Sequence, residues 1–245
     1  MEKINNALET FKNNLKQIDQ LSEIGSDAGD ILLEMLNNLK KENEKMSAFI
    51  PYKQKLDVVI NQIKNIKNHD LLIEKYRIIY NQSVVLVVAT FESFMNDLVK
   101  NIIDNYPDII NWPEKKQISF DPNILKYSSP TIGSLIVGSS LREKYNFQDL
   151  QSTISFLKEY LGFDLSIEEE LKEKIIKYQA LRNVIIHNAA IIDDKFLKQI
   201  RDIEIKEIYK INNPVKLKEA DYKEARDSFE KFSDKIFEKL EEKFK

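Results

Sequence analysis

Ser83–Val99 reads SVVLVVATFESFMNDLV, and this stretch decides the fold. Apolar side chains run through its first half with no polar side wide enough for a surface helix. A helix that is apolar almost all round belongs in the middle of a bundle, covered from several directions. Working outward, helical pattern extends from Leu71 to Asn105. Pro107 stops it, because proline disfavours helical geometry at the residue before it. The apolar run from Val84 to Phe91 is far shorter than the ~20 residues a bilayer demands, so the expectation is a core helix and no membrane association.

Composition agrees with an all-α fold. The chain has 245 residues with only five glycines and six prolines, and Lys, Glu, Leu, Ile and Asn dominate. The absence of cysteine excludes a disulfide scaffold, thiolate zinc sites and a cysteine nucleophile. Two histidines and no HExxH leave little for a histidine metal site, so no metal or cofactor is expected. The start, MEKINNALETFK, is amphipathic and charged rather than continuously apolar, unlike a signal peptide, which points to the cytoplasm. A net charge of −3 offers no general attraction to nucleic acid, so any such function must come from a local patch. Basic residues comprise 32 lysines and five arginines. Each arginine therefore raises the question of why lysine would not serve.

On either side of the core helix the pattern stays helical. Ile4, Leu8, Phe11, Leu15 and Ile18 form one stripe, which Gly25 and Gly29 are expected to break. A second helix carries Ile31, Leu32, Met35, Leu36 and Leu39, and a third, after Pro51, carries Leu56, Val59, Ile63 and Ile66. Residues 1–68 read as an N-terminal helical extension packed on its own chain, with dimer-forming helices as the alternative. Residues 69–245 read as the main helical domain. Within it, 107–146 gathers four of the six prolines (Pro107, Pro113, Pro122 and Pro130), Gly133, Gly138 and Trp112 into an irregular insertion. Asp149–Leu161 is a helix closed by Gly162. Ser166 and Glu169 suggest a capping box for a helix running through KEKIIKYQALRNVIIHN. Asp193 should cap the next helix, with Asp193-Asp194 a helix start rather than a metal site. Residues 205–217 suggest a short hairpin or an extended turn around Asn212-Asn213-Pro214, and Glu219 opens a last helix. That helix should bury Tyr222, Ala225, Phe229, Phe232, Ile236 and Leu240. His69 reads as a surface residue, Asp70 as the cap of the core helix, and Lys115-Lys116 as a solvated face with RNA contact the alternative.

One constellation carries chemistry: Leu181-Arg182-Asn183-Val184-Ile185-Ile186-His187-Asn188. At about 100° per residue, Asn183 lies near 100° and His187 near 140° from Arg182, stacked one turn apart. Leu181 and Ile185 point the other way, to the core. Ile186 interrupts the polar arc, which suits an arc facing another protein surface, such as a second copy.

The motif Arg182-Asn183-x-x-x-His187, followed by Asn188 and a turn, resembles the signature of the HEPN superfamily of all-helical ribonucleases. The stretch Ala89–Leu98, with Glu92, is similar to the first long HEPN helix, which often carries an acidic residue near the site. The extended turn and closing helix of the tail resemble the RiboL-PSP-HEPN branch. The resemblance covers residues 70–245. Many relatives have glycine two or three residues after the histidine, where this chain has Ala189 and Ala190.

The resemblance implies a HEPN-type bundle and a metal-independent endoribonuclease whose site is completed by a second protomer. It also implies a toxin–antitoxin or phage-defence role, with an antitoxin or sensor protein as partner. His187 would act as general acid/base, Arg182 as phosphate anchor and Asn183 as their positioning residue. Glu92 is read as a salt-bridge partner of Arg182 in preference to a catalytic group, and Asn188 as a hydrogen-bonding helix end. A non-catalytic module that dimerises or binds a nucleotide or a partner protein is the alternative.

Overall fold

The structure, a computed structural model, describes residues 2–43, 54–62, 70–111, 131–136, 147–203 and 208–244. Its elements are α1 (Glu2–Asn43), α2 (54–62), α3 (Asp70–Asn105), a 3-10 turn (Pro107–Ile109), α4 (Ile132–Ile136), α5 (Leu150–Leu161), α6 (Glu169–His187), α7 (Asp194–Gln199) and α8 (Glu219–Phe244). Among the described residues there is no strand.

α3 is the axis of the molecule. Val84, Val87, Val88, Phe91, Phe94, Met95, Leu98, Val99, Ile102 and Ile103 are all buried, and α1, α4, α6 and α8 pack around them. Its segment Ile78–Asn105 is long and apolar enough to cross a bilayer by composition, yet half of its most apolar window is buried against these helices. A row of Gln82, Leu86, Ser93 and Asp97 stays exposed. Phe91 holds the centre, with ring centroids 6.2 Å from Phe11, 6.2 Å from Phe94, 5.1 Å from Phe229 and 5.5 Å from Phe232. Such aromatic pairs add stabilisation beyond their buried area. The α8 stripe is as expected: Tyr222, Ala225, Phe229, Phe232, Ile236 and Leu240 are all buried.

The glycines in α1 do not break it. The helix continues through Gly25 and Gly29 to Asn43, since a helical glycine costs only about 1 kcal/mol relative to alanine. Its first half buries Ile4, Phe11, Leu15 and Ile18 in the same core as α3, with Leu8 partly buried. Tyr222 Oη donates to Asp19 (2.5 Å), and Arg226 and Lys12 add ion pairs that tie α1 to α8. Beyond Ile18 the stripe diverges from expectation: Ile31, Met35 and Leu39 are exposed and Leu33 is the buried residue. In α2, Ile60 is buried whereas Val59 is exposed. Ile63, Ile66, His69, Trp112 and Lys115-Lys116 lie outside the described residues.

Part of the 107–146 segment is docked. The Gly133 N–H donates to Asp104 Oδ1 at 2.6 Å, and a Cβ at Gly133 would sit 2.6 Å from the Lys100 carbonyl oxygen. Only glycine lets α4 approach α3 this closely. The ends of α5 follow the sequence: Asp149 accepts from the Ser152 N–H, and Gly162 closes the helix at φ 67°.

Two local expectations are corrected. The capping box at Ser166 does not form, because α6 begins at Glu169 after Glu168. Glu168 reaches Lys235 and Lys231 of α8, which hold its carboxyl below the ordinary value through the Lys235 hydrogen bond above all, and Glu169 pairs with Lys172. Among the described residues 208–217 no hairpin forms, and an extended turn pairs instead with the chain just after α6. Ile192 N–H donates to the Asn213 carbonyl, Asn212 N–H to Ile192 and Val215 N–H to Ala190, around a single bridge between Ile191 and Pro214. Proline lacks the N–H a regular ladder would use.

Candidate active site

The end of α6 is where backbone and side chains converge. Arg182 is largely covered, its side chain 12% exposed, and Glu92 of α3 faces it at 14% exposure. Their closest approach is 3.4 Å. A guanidinium nitrogen of Arg182 also donates to Asn183 Oδ1 at 3.0 Å, while its Nε is buried without a hydrogen-bond partner. The geometry therefore makes Glu92 the ion-pair partner of Arg182. Asn183 is half-buried, Ile186 is 46% exposed, and His187, the last residue of α6, is exposed.

Beyond His187 the chain turns sharply. Asn188 donates from its side chain to the Ile191 carbonyl at 2.6 Å, so its observed role is to close the turn. Ala189 and Ala190 have φ of 49° and 61°. Left-handed backbone costs an L-residue roughly 1–2 kcal/mol. The Ala190 N–H bonds back to the Val184 carbonyl, and Val215 N–H clamps the Ala190 carbonyl at 2.7 Å. The 212–215 segment thus holds the left-handed turn in place from outside, without glycine.

Two further features escaped the sequence reading. Lys177 and Tyr178 of α6 both bond the carboxylate of Glu224 on α8. Burial works to raise the Glu224 value, but the hydrogen bonds from Lys177 and Tyr178 prevail and hold it below the ordinary carboxylate range. Burial first, then Glu224, pushes the Tyr178 phenol well up, and burial with Asp221 pushes Tyr209 up to about 12. Lys177, Tyr209, Lys210, Lys216, Lys218 and Asp221 line a groove of about 660 Å³ whose wall includes Asn213 and Pro214, the segment clamping the turn. The second feature is a smaller cavity of about 220 Å³ between α5 and α6, to which Gln179 and Asn183 contribute. Its one sequence signal is spacing, with Gln179 four residues, about one turn, before Asn183 on α6. Among the described residues no cluster of His, Asp or Glu is suited to a metal ion.

No family model, no curated protein and no solved structure matches this chain.

Proposed function

We propose that the chain is a HEPN-type, metal-independent endoribonuclease that completes its active site by pairing two copies. The observation that carries this reading is the order of side chains at the end of α6. Arg182 is braced by Glu92 and Asn183, and His187 is exposed one turn beyond Asn183. A histidine can take and give a proton near neutral pH, which suits removal of the 2′-hydroxyl proton of RNA. The freed 2′ oxygen attacks the adjacent phosphorus, and the bond to the 5′ oxygen breaks. The leaving oxygen takes a proton from a second imidazole, that of His187 in the other copy. The products are a 2′,3′-cyclic phosphate and a 5′-hydroxyl. Arginine's planar fork suits the phosphate, whose charge grows in the transition state.

Three features support RNA as substrate and a paired assembly. The exposed Ile186 sits inside the polar arc, where a second copy would cover it. The lysine-lined groove beside the turn supplies a local attraction for phosphates despite the net charge of −3. The strained Ala189-Ala190 turn fixes the direction in which the chain leaves His187. A toxin or phage-defence enzyme in the cytoplasm, restrained by an antitoxin or sensor, is the setting that agrees with the resemblance.

The test is cleavage of total bacterial RNA in EDTA, wild type beside His187→Ala, with analysis of product ends. Cyclic-phosphate ends made only by the wild type are expected. Equal cleavage by both, or cleavage abolished by EDTA, would overturn the reading. The engagement of Arg182 by Glu92 favours a second reading, a non-catalytic binding module, in which Arg182→Lys alters stability alone.

A further inference from the structure

We propose that the 220 Å³ cavity between α5 and α6 is a base-binding subsite that takes one unpaired nucleobase, adenine before the others, from the RNA. This deepens the ribonuclease reading and rests on it only in taking the ligand to be the substrate.

The volume sets the class of ligand. Pockets for drug-sized molecules span roughly 300–1,000 Å³, so this cavity suits a single heterocycle and excludes a base pair. Its walls suit a flat ring with hydrogen-bonding edges. Ile154 from α5 and Ile176 from α6 provide apolar surface, while Gln151, Gln179, Asn183 and Gln199 provide amides. Asp149, also in the wall, is already engaged by the Ser152 N–H and hydroxyl that it caps. Lys172 is paired with Glu169.

Gln179 is the independent observation. It is only 4% exposed, and its Nε2 amide has no hydrogen-bond partner. Leaving a buried donor unsatisfied costs roughly 1–3 kcal/mol, and most buried polar groups are paired. Gln179 lines this small cavity with its donor buried and unpaired, and a turn of the carboxamide toward the cavity would let a ligand that brings an acceptor satisfy it. Carboxamides pair with adenine through two hydrogen bonds, donating to a ring nitrogen and accepting from the 6-amino group. In single-stranded RNA the edges of the base are open to such contacts.

The placement agrees. Gln179 and Asn183 lie one turn apart, and Asn183 is bonded to Arg182. Gln179 is about 12 Å along the α6 axis from His187, at ~1.5 Å per residue. A base seated there would belong to a nucleotide close to the cleaved bond, so the subsite would set where the strand is cut.

The test uses the full chain in a His187→Ala background, which keeps the RNA intact. Fluorescein-labelled RNA decamers of uridine, with A, C, G or U at one central position, are titrated and followed by anisotropy. The adenine-containing strand is expected to bind about ten-fold tighter than all-uridine. Gln179→Leu should erase that preference, so that the adenine-containing and all-uridine strands bind alike. Its urea midpoint should be no lower than the parent's, because the orphan donor is removed. Gln199→Ala, at an exposed position that cannot compromise folding, should reduce the preference partly. Equal affinity for all four strands, a preference that survives Gln179→Leu, or no binding to any strand would overturn the proposal. Base preference lost in Gln179→Leu without cleavage by the wild type would keep the subsite and discard the ribonuclease. Cleavage without base preference would do the reverse.

Discussion

Arg182 and Glu92 are the pair on which the site depends, and their removal can be worked through quantitatively. With side-chain exposures of 12% and 14%, both groups are close to the buried limit, where solvent screens them little. Deleting either charge removes an ion pair between two largely desolvated groups, a loss of roughly 3–5 kcal/mol for fully buried pairs. Arg182 keeps its bond to Asn183 Oδ1 when Glu92 is lost, which softens the effect. Glu92→Gln and Arg182→Met should therefore each cost about 2–4 kcal/mol, and the double variant should cost less than their sum by about 1.5–3 kcal/mol. For a chain of this size each kcal/mol moves Tm by about 2–4 °C, so each single change should lower Tm by about 4–16 °C. Urea unfolding of the four proteins measures the coupling, provided the denaturant slope stays constant. Additive costs within about 0.5 kcal/mol would refute the reasoning, because they would mean the two charges are solvated separately.

Four further expectations follow from the same geometry. Phe91→Ala removes a ring in contact with four others and should cost about 3–5 kcal/mol in urea unfolding, or folding itself. Gly133→Ala places a Cβ against the Lys100 carbonyl, and hydrogen exchange should show α4 losing protection while α3 keeps it. Ala190→Gly relieves a left-handed alanine but loosens the unfolded chain, so unfolding should show a change between about 0 and +1 kcal/mol. Because the folded Glu224 value lies below its ordinary 4.5, Glu224 stabilises above that value and loses this contribution as the pH falls through the folded one. Urea midpoints should accordingly fall less steeply between pH 5 and about 3 in Glu224→Gln than in wild type.

Periodicity and punctuation made much of this architecture legible. α3 was readable because a stretch apolar on nearly every side has no stable place except the centre. α8 was readable because six residues at helical spacing all bury. Asp149, Gly162 and Asp193 act within one turn of themselves, so local chemistry sufficed to place the ends of α5 and α7. Where the reading failed, either a distant partner had intervened or a local signal was too weak to act alone. Ser166 did not cap α6, whose start lies beside α8 lysines paired with Glu168. Gly25 did not end α1, because a modest propensity penalty does not terminate a helix by itself.

The site divides along the same line. Spacing alone put Arg182, Asn183 and His187 on one arc of α6, whereas Glu92 as a salt-bridge partner came from the resemblance of its helix to a HEPN helix. Tertiary structure decided that Glu92 faces Arg182, that Ala189 and Ala190 are left-handed, and that 212–215 clamps the turn. It also enclosed Gln179 in a cavity with residues from three helices. The physical reason is one of range. Helical periodicity and capping act over a turn or two of chain. Burial, ion pairing and cavities arise only where segments far apart in sequence are brought within a few ångströms of one another.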